Sequence, residues 1–129
     1  MRSLIFAGIQ RYSLFSPNHV GNDAAIFSAV AQYLKENGHQ VNMYTEQEFL
    51  TNSLKGEKYI FTMMRSKASV RKLQKLEEKE DCFAVNSGHG IENCTRERMT
   101  TLLLENQISH PRSLIWDTND GVPEALIKP

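Results

Sequence analysis

The chain has 129 residues, of which 40% are hydrophobic and 23% are charged. Such a chain fits one domain with a sizeable apolar core, which excludes a disordered tail. Lysine plus arginine and aspartate plus glutamate each number 15, so the zero net charge gives no general electrostatic reason to expect nucleic acid or an anionic membrane as a partner.

The first half of the chain alternates strand-like and helix-like segments. Residues 3–9 predict a first strand, and after a loop rich in turn formers Asn22 or Asp23 can cap a helix. Apolar residues recur at helical spacing up to the stop signal at residues 37–38: Ile26, Phe27, Val30, Tyr33 and Leu34. Residues 39–45 predict a second strand, and residues 46–50 a short helical turn.

The second half continues the alternation. Residues 58–64 predict a third strand, and Ser66 or Ser69 opens a helix with a buried stripe of Val70, Leu73 and Leu76. Residues 82–85 are a continuous apolar run, typical of a central strand buried on both faces. A third helix is expected over residues 92–106, with Met99, Leu102 and Leu103 facing inward, and a fifth strand over residues 113–116.

This order of elements predicts an α/β fold. The βαβ units imply a Rossmann-like (flavodoxin-like), mostly parallel sheet of about five strands with helices on both faces. We expect residues 1–117 to form this domain and residues 118–129 to be a hinge and the start of a following domain. Ligands of such sheets bind beyond the carboxyl ends of the strands, which selects the loops at residues 11–23, 64–69 and 86–93.

The loop Asn-Ser-Gly-His-Gly after the fourth strand is the most informative of the three. Its glycines permit positive φ, and the helix start after it offers N–H groups to an anion, although an ordinary βα turn explains the sequence equally well. The candidate binding residues from the loops are Asn18, His19, Arg65, Asn86, Ser87, His89 and Asn93.

Two arginines stand near the start of the third helix, where the helix dipole favours acids. Pairing of Arg96 and Arg98 with Glu92 and Glu97 is one explanation. A binding site is the other, because Arg98 lies two turns after Ile91 and points back toward the loop.

Several kinds of chemistry are not supported by the sequence. The histidines lie in separate segments, and Cys82 and Cys94 are too few for a paired zinc motif, so a metal site is not expected. The motifs GxSxG, GxxxxGK[ST] and GxGxxG are missing. With no signal peptide and no apolar run near the ~20 residues of a membrane span, we expect a cytoplasmic protein.

Residues 86–111, NSGHGIENCTRERMTTLLLENQISHP, resemble a segment of ATP-grasp enzymes such as D-alanine–D-alanine ligase, glutathione synthetase and the glutamate ligases. In that family a strand ends in Asn-Ser, a helix follows with an acid–lysine pair and a threonine, and a Gly-Ile-Pro-x-Pro phrase leads to the last strand. Here Glu97–Arg98 falls on the pair, Thr101 on the threonine, and residues 106–111 on the final phrase.

The resemblance implies the N-terminal, pre-ATP-grasp domain of an ATP-dependent carboxylate–amine ligase, not catalytic alone. ATP and Mg²⁺ would bind the parent protein. In this family a lysine reaches the ATP phosphates, and here Arg98, together with Arg96, would take its place. Ser16, Asn18 and His19 would face substrate, with Ser87 near the acyl phosphate. The implied partners are the following ATP-grasp domains, a small carboxylate or amine substrate, and a possible second copy of the chain, with no nucleic acid and no membrane.

Two other functions agree with the same elements. One is a free-standing flavodoxin-like module that binds a small anion or a protein partner; the other is the N-terminal domain of a two-domain glycosyltransferase. The ligase domain predicts an exposed hydrophobic face where the remaining domains dock, whereas the free-standing module predicts no large apolar patch.

Overall fold

A computed structural model describes residues 2–11, 20–79, 81–116 and 118–121. The chain forms two compact units, residues 1–92 and residues 93–129. The expected domain boundary near residue 117 stays a prediction. In the described part of the chain, no helix has the length and apolar character needed to cross a membrane.

The first unit contains a four-stranded, all-parallel sheet. Its strands are β1 (Ile5–Gln10), β2 (Gln40–Thr45), β3 (Tyr59–Thr62) and β4 (Phe83–Val85), in the order β2-β1-β3-β4. In register, Phe6 of β1 pairs with Val41 of β2 and with Tyr59 of β3. The predicted α/β class with a parallel, Rossmann-like sheet is therefore confirmed.

Three helices of the first unit connect the strands: α1 (Val20–Glu36), α2 (Glu46–Thr51) and α3 (Lys67–Glu78). The side chain of Thr45 accepts from the backbone N–H of Glu48, and the Glu48 carboxylate accepts from the N–H of Thr45, so a capping box fixes the start of α2. Ser66 caps α3 through Ser69 N–H, as the sequence predicts. α1 begins before the expected cap, which places Asp23 in its first turn instead.

The face of the sheet that carries α2 and α3 is the main core. Its buried side chains come from three strands, two helices and the β3–α3 loop: Ala7, Ile9, Tyr44, Phe49, Ile60, Met64, Val70 and Leu73. The predicted stripe of α3 is correct, since Val70 and Leu73 are buried and Leu76 packs half-buried against them. This face is covered continuously.

The opposite face carries α1 and is covered only in part. Phe27 of α1 packs on Phe61 with 4.7 Å between ring centroids, directly over Gly8. A Cβ atom at Gly8 would lie 2.7 Å from Phe61 and 2.9 Å from Phe27, so only glycine lets helix and sheet approach this closely. Of the apolar residues that recur at helical spacing in α1, Phe27 is buried, whereas Ile26, Val30 and Tyr33 are exposed.

The prediction that residues 82–85 form a central strand is also wrong. β4 is an edge strand, and its side chains Phe83 and Val85 are exposed, while Ala84 packs half-buried against the main core. An apolar run indicates that both faces of a strand suit burial, but a partner for each face must come from elsewhere in the protein.

In the second part of the chain the structure has α4 (Gly88–Asn93) and α5 (Arg96–Glu105) in place of the single helix predicted for residues 92–106. Thr95 separates them, because its extended backbone ends one helix while its hydroxyl caps the next. Met99 is exposed and Leu102 and Leu103 are half-buried, so α5 has no buried residue.

The fifth strand predicted at residues 113–116 is absent, since residues 111–116 have no regular structure. A strand needs a neighbouring strand for its backbone hydrogen bonds, and apolar side chains alone do not supply one. A short 3₁₀ helix, Thr118–Asp120, follows.

Candidate functional site

The carboxyl ends of β1, β3 and β4 lie along one edge of the parallel sheet, where the sequence predicts the ligand loops. Side chains tie this edge together: Thr62 Oγ1 donates to the carbonyl of Ile9 (3.1 Å), and Asn86 Nδ2 donates to the carbonyl of Thr62 (3.0 Å). The predicted site residue Asn86 therefore has a structural partner on the neighbouring strand.

The loop between β3 and α3 already holds an internal carboxylate. The backbone N–H groups of Arg65 and Ser66 donate to Glu46 Oε1, at 3.0 and 2.9 Å. Glu46 is 2% exposed, and its carboxylate lies at the N-terminal end of α3, where the helix dipole favours negative charge. An external anion would have to displace Glu46 from these N–H groups, so Arg65 is available to a ligand through its exposed guanidinium only.

The loop after β4 is occupied in the same way. Gly88 N–H donates to the Glu77 carboxylate at 3.1 and 3.3 Å, and Gly90 N–H donates to Ser87 Oγ at 3.0 Å. Both glycines lie inside α4 rather than in a positive-φ turn, contrary to the expectation for this loop. A Cβ at Gly88 would lie 2.8 Å from Gln74 Cγ, so this glycine permits close packing on α3. His89 is exposed, with Nε2 3.5 Å from Glu78.

The remaining predicted site residues lie elsewhere. Asn93, Arg96 and Arg98 belong to the second unit, and all are exposed. Arg98 N–H donates to the hydroxyl of Thr95 (3.3 Å). Ser16, Asn18 and His19 lie outside the described residues. The contacts of these residues with substrate or ATP stay predictions.

An ion pair that was not predicted from the sequence lies at the end of β1. Arg11 Nη1 donates to Asp23 Oδ2 at 2.9 Å, and the two side chains are only 20% and 16% exposed. Arg11 Nε is buried and donates to no acceptor within the described residues. An unsatisfied buried donor costs about 1–3 kcal/mol, so this group is a place to look for a ligand. An arginine directly after a buried strand, with an aspartate in the next helix, was the available signal.

A second buried carboxylate, Glu57, lies in the connection between α2 and β3. It accepts hydrogen bonds from the Tyr44 hydroxyl (2.6 Å), from Asn42 Nδ2 (2.7 Å) and from the backbone N–H of Lys55. Burial alone would raise the pKa of Glu57, but the bonds from Tyr44, Asn42 and backbone N–H groups together more than offset it, so the pKa is lowered. Burial, together with the bond to Glu57 and its charge, raises the pKa of Tyr44 to about 12. These hydrogen bonds attach the connection between α2 and β3 to strand β2.

The histidine, cysteine and acidic side chains bear on metal and thiol chemistry. Among the described residues, no group of three histidine, cysteine, aspartate or glutamate side chains could hold a metal ion. Cys82 and Cys94 are free thiols. Burial, and after it the charges of Glu77 and Asp81, raises the pKa of Cys82 to about 11, so this half-buried thiol stays protonated and unreactive at neutral pH.

Exposed apolar side chains of β3 and β4 lie side by side on the α1 face of the sheet. Tyr59 is in register with Phe83, and Phe61 with Val85, so these side chains share one face. Tyr59, Phe83 and Val85 are 37%, 66% and 59% exposed. Two adjacent strands thus present an uncovered apolar surface.

One flank of α1 also exposes apolar side chains on this face of the sheet. With Phe27 pointing at the sheet, Ile26, Val30 and Tyr33 lie roughly 60–120° to one side of it at 3.6 residues per turn. Because βαβ crossovers are right-handed, that flank faces β3 and β4 and not β2. We call the surface formed by Ile26, Val30, Tyr33, Tyr59, Phe83 and Val85 the apolar groove.

Comparison with known proteins adds no relative. No family model matches the chain, no curated protein matches it, and no solved structure matches its fold. Fold and site together define an α/β protein with a four-stranded parallel, Rossmann-like sheet and a polar carboxyl edge.

Proposed function

We propose that this chain is the N-terminal, substrate-side domain of an ATP-dependent carboxylate–amine ligase of the ATP-grasp type. The observation that carries the proposal is the apolar groove. The resemblance of residues 86–111 to ATP-grasp enzymes supports it and supplies the class of reaction.

The apolar groove favours a domain of a larger enzyme over a free-standing module. Two strands and one helix flank expose large apolar side chains that burial would stabilise by roughly 25 cal/mol per Å². Exposed apolar side chains on two adjacent strands are typical of an interface. The occupant that we propose is the following domain of the same protein, which would pack against β3, β4 and α1.

The carboxyl edge would then hold the substrate by side chains. Glu46 and Glu77 already accept hydrogen bonds from the backbone N–H groups of two loops. The carboxylate substrate would therefore be bound by arginine and amide side chains. Arg65, Asn86, Ser87 and His89 are the proposed substrate residues of this edge. Asn93, Ser16, Asn18 and His19 are proposed as substrate residues from the sequence alone. Arg96 and Arg98 would contact the ATP phosphates.

The reaction proceeds in two steps. A carboxylate oxygen of the substrate attacks the γ-phosphorus of ATP, giving an acyl phosphate and ADP. The amine then attacks the acyl carbon, and inorganic phosphate and a proton leave. Arginine side chains such as Arg98 would stabilise the charge on the transferred phosphoryl group, and Mg²⁺ held by the parent protein would supply further positive charge there. The need for ATP fits the cytoplasmic location that we propose.

The test is an ATP turnover assay on two proteins: this chain, and the chain extended by the residues encoded after Pro129. We expect ADP and phosphate from the extended protein only, dependent on both a carboxylate and an amine. ATP hydrolysis by this chain alone, with contaminants excluded, would contradict the proposal. A following sequence that begins a second Rossmann-like unit would instead support the glycosyltransferase.

A further inference from the structure

The strand order of the sheet reverses between β1 and β3. The chain leaves β1 for β2 on one side and later enters β3 on the other. Ligands of open parallel sheets bind in the crevice that this reversal opens at the carboxyl ends. A cleft of about 40 Å³ lies at this place, lined by Gln10, Arg11, Asp23, Ala24, Phe27 and Met63.

The geometry of Arg11 makes the cleft a binding site. Asp23 accepts from Nη1 at 2.9 Å and thereby fixes the plane of the guanidinium. The Nε–H group is buried and has no acceptor in the part of the chain that the structure describes. Since Asp23 takes Nη1, the fork formed by Nε and Nη2 is left for a ligand with two oxygens.

The lining indicates which ligand fits. A carboxylate matches the planar fork of arginine. The neighbouring Asp23 carboxylate repels anions, and it repels a phosphate dianion more strongly than a carboxylate, which carries a single charge. Phe27, Ala24 and Met63 offer apolar contact to a short carbon chain, and the Gln10 amide offers a further hydrogen bond.

We propose that the Arg11 cleft binds the carboxylate of a small aliphatic acid. The identity of this acid as the ligase substrate rests on the proposed function, whereas its binding does not. Arg11 is then a substrate-binding residue in addition to those predicted from the sequence.

The test is a titration of the full chain with sodium acetate and sodium butanoate, followed by amide chemical shifts. We expect saturable shifts at Gln10, Ala24 and Met63. Arg11→Lys keeps the charge but loses the fork, which weakens binding about tenfold or more because a charge-assisted hydrogen bond is lost. Arg11→Gln abolishes binding, and the matched control Arg71→Gln, at an exposed arginine on α3, binds as the wild type does.

Three results would overturn the proposal: no saturable shift, equal affinity in Arg11→Lys, or the same shifts from chloride or inorganic phosphate at equal ionic strength, which would mean an adventitious ion only. If Arg11→Gln does not fold, Arg11→Lys decides. Acetate binding that depends on Arg11, with no ATP turnover by the extended protein, would contradict the ligase function but support carboxylate binding in the Arg11 cleft. ATP turnover by the extended protein without such binding would support the ligase function and contradict carboxylate binding in the cleft.

Discussion

The two faces of the sheet differ in how completely they are covered. Under α2 and α3, side chains from three strands are buried without a break, whereas α1 covers its face over Gly8 and leaves Tyr59, Phe83 and Val85 exposed. The same strands contribute to both faces. The comparison therefore assigns most of the stability of the first unit to one face and an interaction role to the other.

The largest expected effect is on the covered face. Leu73 is fully buried, so Leu73→Ala should lower the free energy of unfolding by about 2–5 kcal/mol. Val85→Ala, the control on the opposite face, should change it by about 0.5 kcal/mol or less, because Val85 is largely exposed. Urea denaturation measures both. Similar losses of unfolding free energy in the two variants would contradict the claim that most of the stability comes from the face under α2 and α3.

A second variant probes the covered part of the α1 face. Gly8→Ala introduces a methyl group with no space between Phe61, Met43 and Phe27, so we expect a loss of about 1–3 kcal/mol. Gly21→Ala in α1 is the matched control, since its Cβ would meet nothing within 4 Å. It should be neutral or stabilising by up to ~1 kcal/mol. A neutral Gly8→Ala would show that α1 does not pack this closely.

A smaller and pH-dependent effect is expected at Tyr44. Its folded pKa of about 12 exceeds the ordinary 10.0, so the stability it contributes is complete below pH 10.0 and is lost as the pH rises toward 12. Tyr44→Phe should remove that alkaline decline and, by leaving Glu57 with one donor fewer, cost about 1–3 kcal/mol at neutral pH. Urea unfolding curves of both proteins at several pH values measure the alkaline decline and the loss of stability at neutral pH. An unchanged alkaline profile in the variant would exclude this role.

The sequence was sufficient for the elements whose signals are local. The caps at Ser66, the stripe of α3 and the alternation of strands with helices all follow from nearby residues, and they fix the parallel α/β class. The exposure of β4 and of the α1 flank was not predictable. Apolar side chains such as Phe83 and Ile26 show the same sequence pattern whether or not a partner covers them.

The candidate site was predictable in its place but not in its hydrogen bonds. Parallel strands put the loops after β3 and β4 on one edge, as expected. That Glu46 and Glu77 occupy the N–H groups of these loops depends on contacts about 20 and 11 residues apart, which spacing along the chain does not show. The Arg11–Asp23 pair was not predicted, although the sequence shows an arginine after a strand and an aspartate in the next helix.

The most direct measurement of the apolar groove is the binding of the fluorescent dye ANS to this chain at neutral pH, compared between wild type and Phe83→Ser/Val85→Thr. Enhanced dye fluorescence in the wild type and its loss in the double variant, with unfolding free energies within about 1 kcal/mol of each other, is the expected result. Equal fluorescence from both proteins, or none from the wild type, would contradict an apolar face that is prepared for another domain.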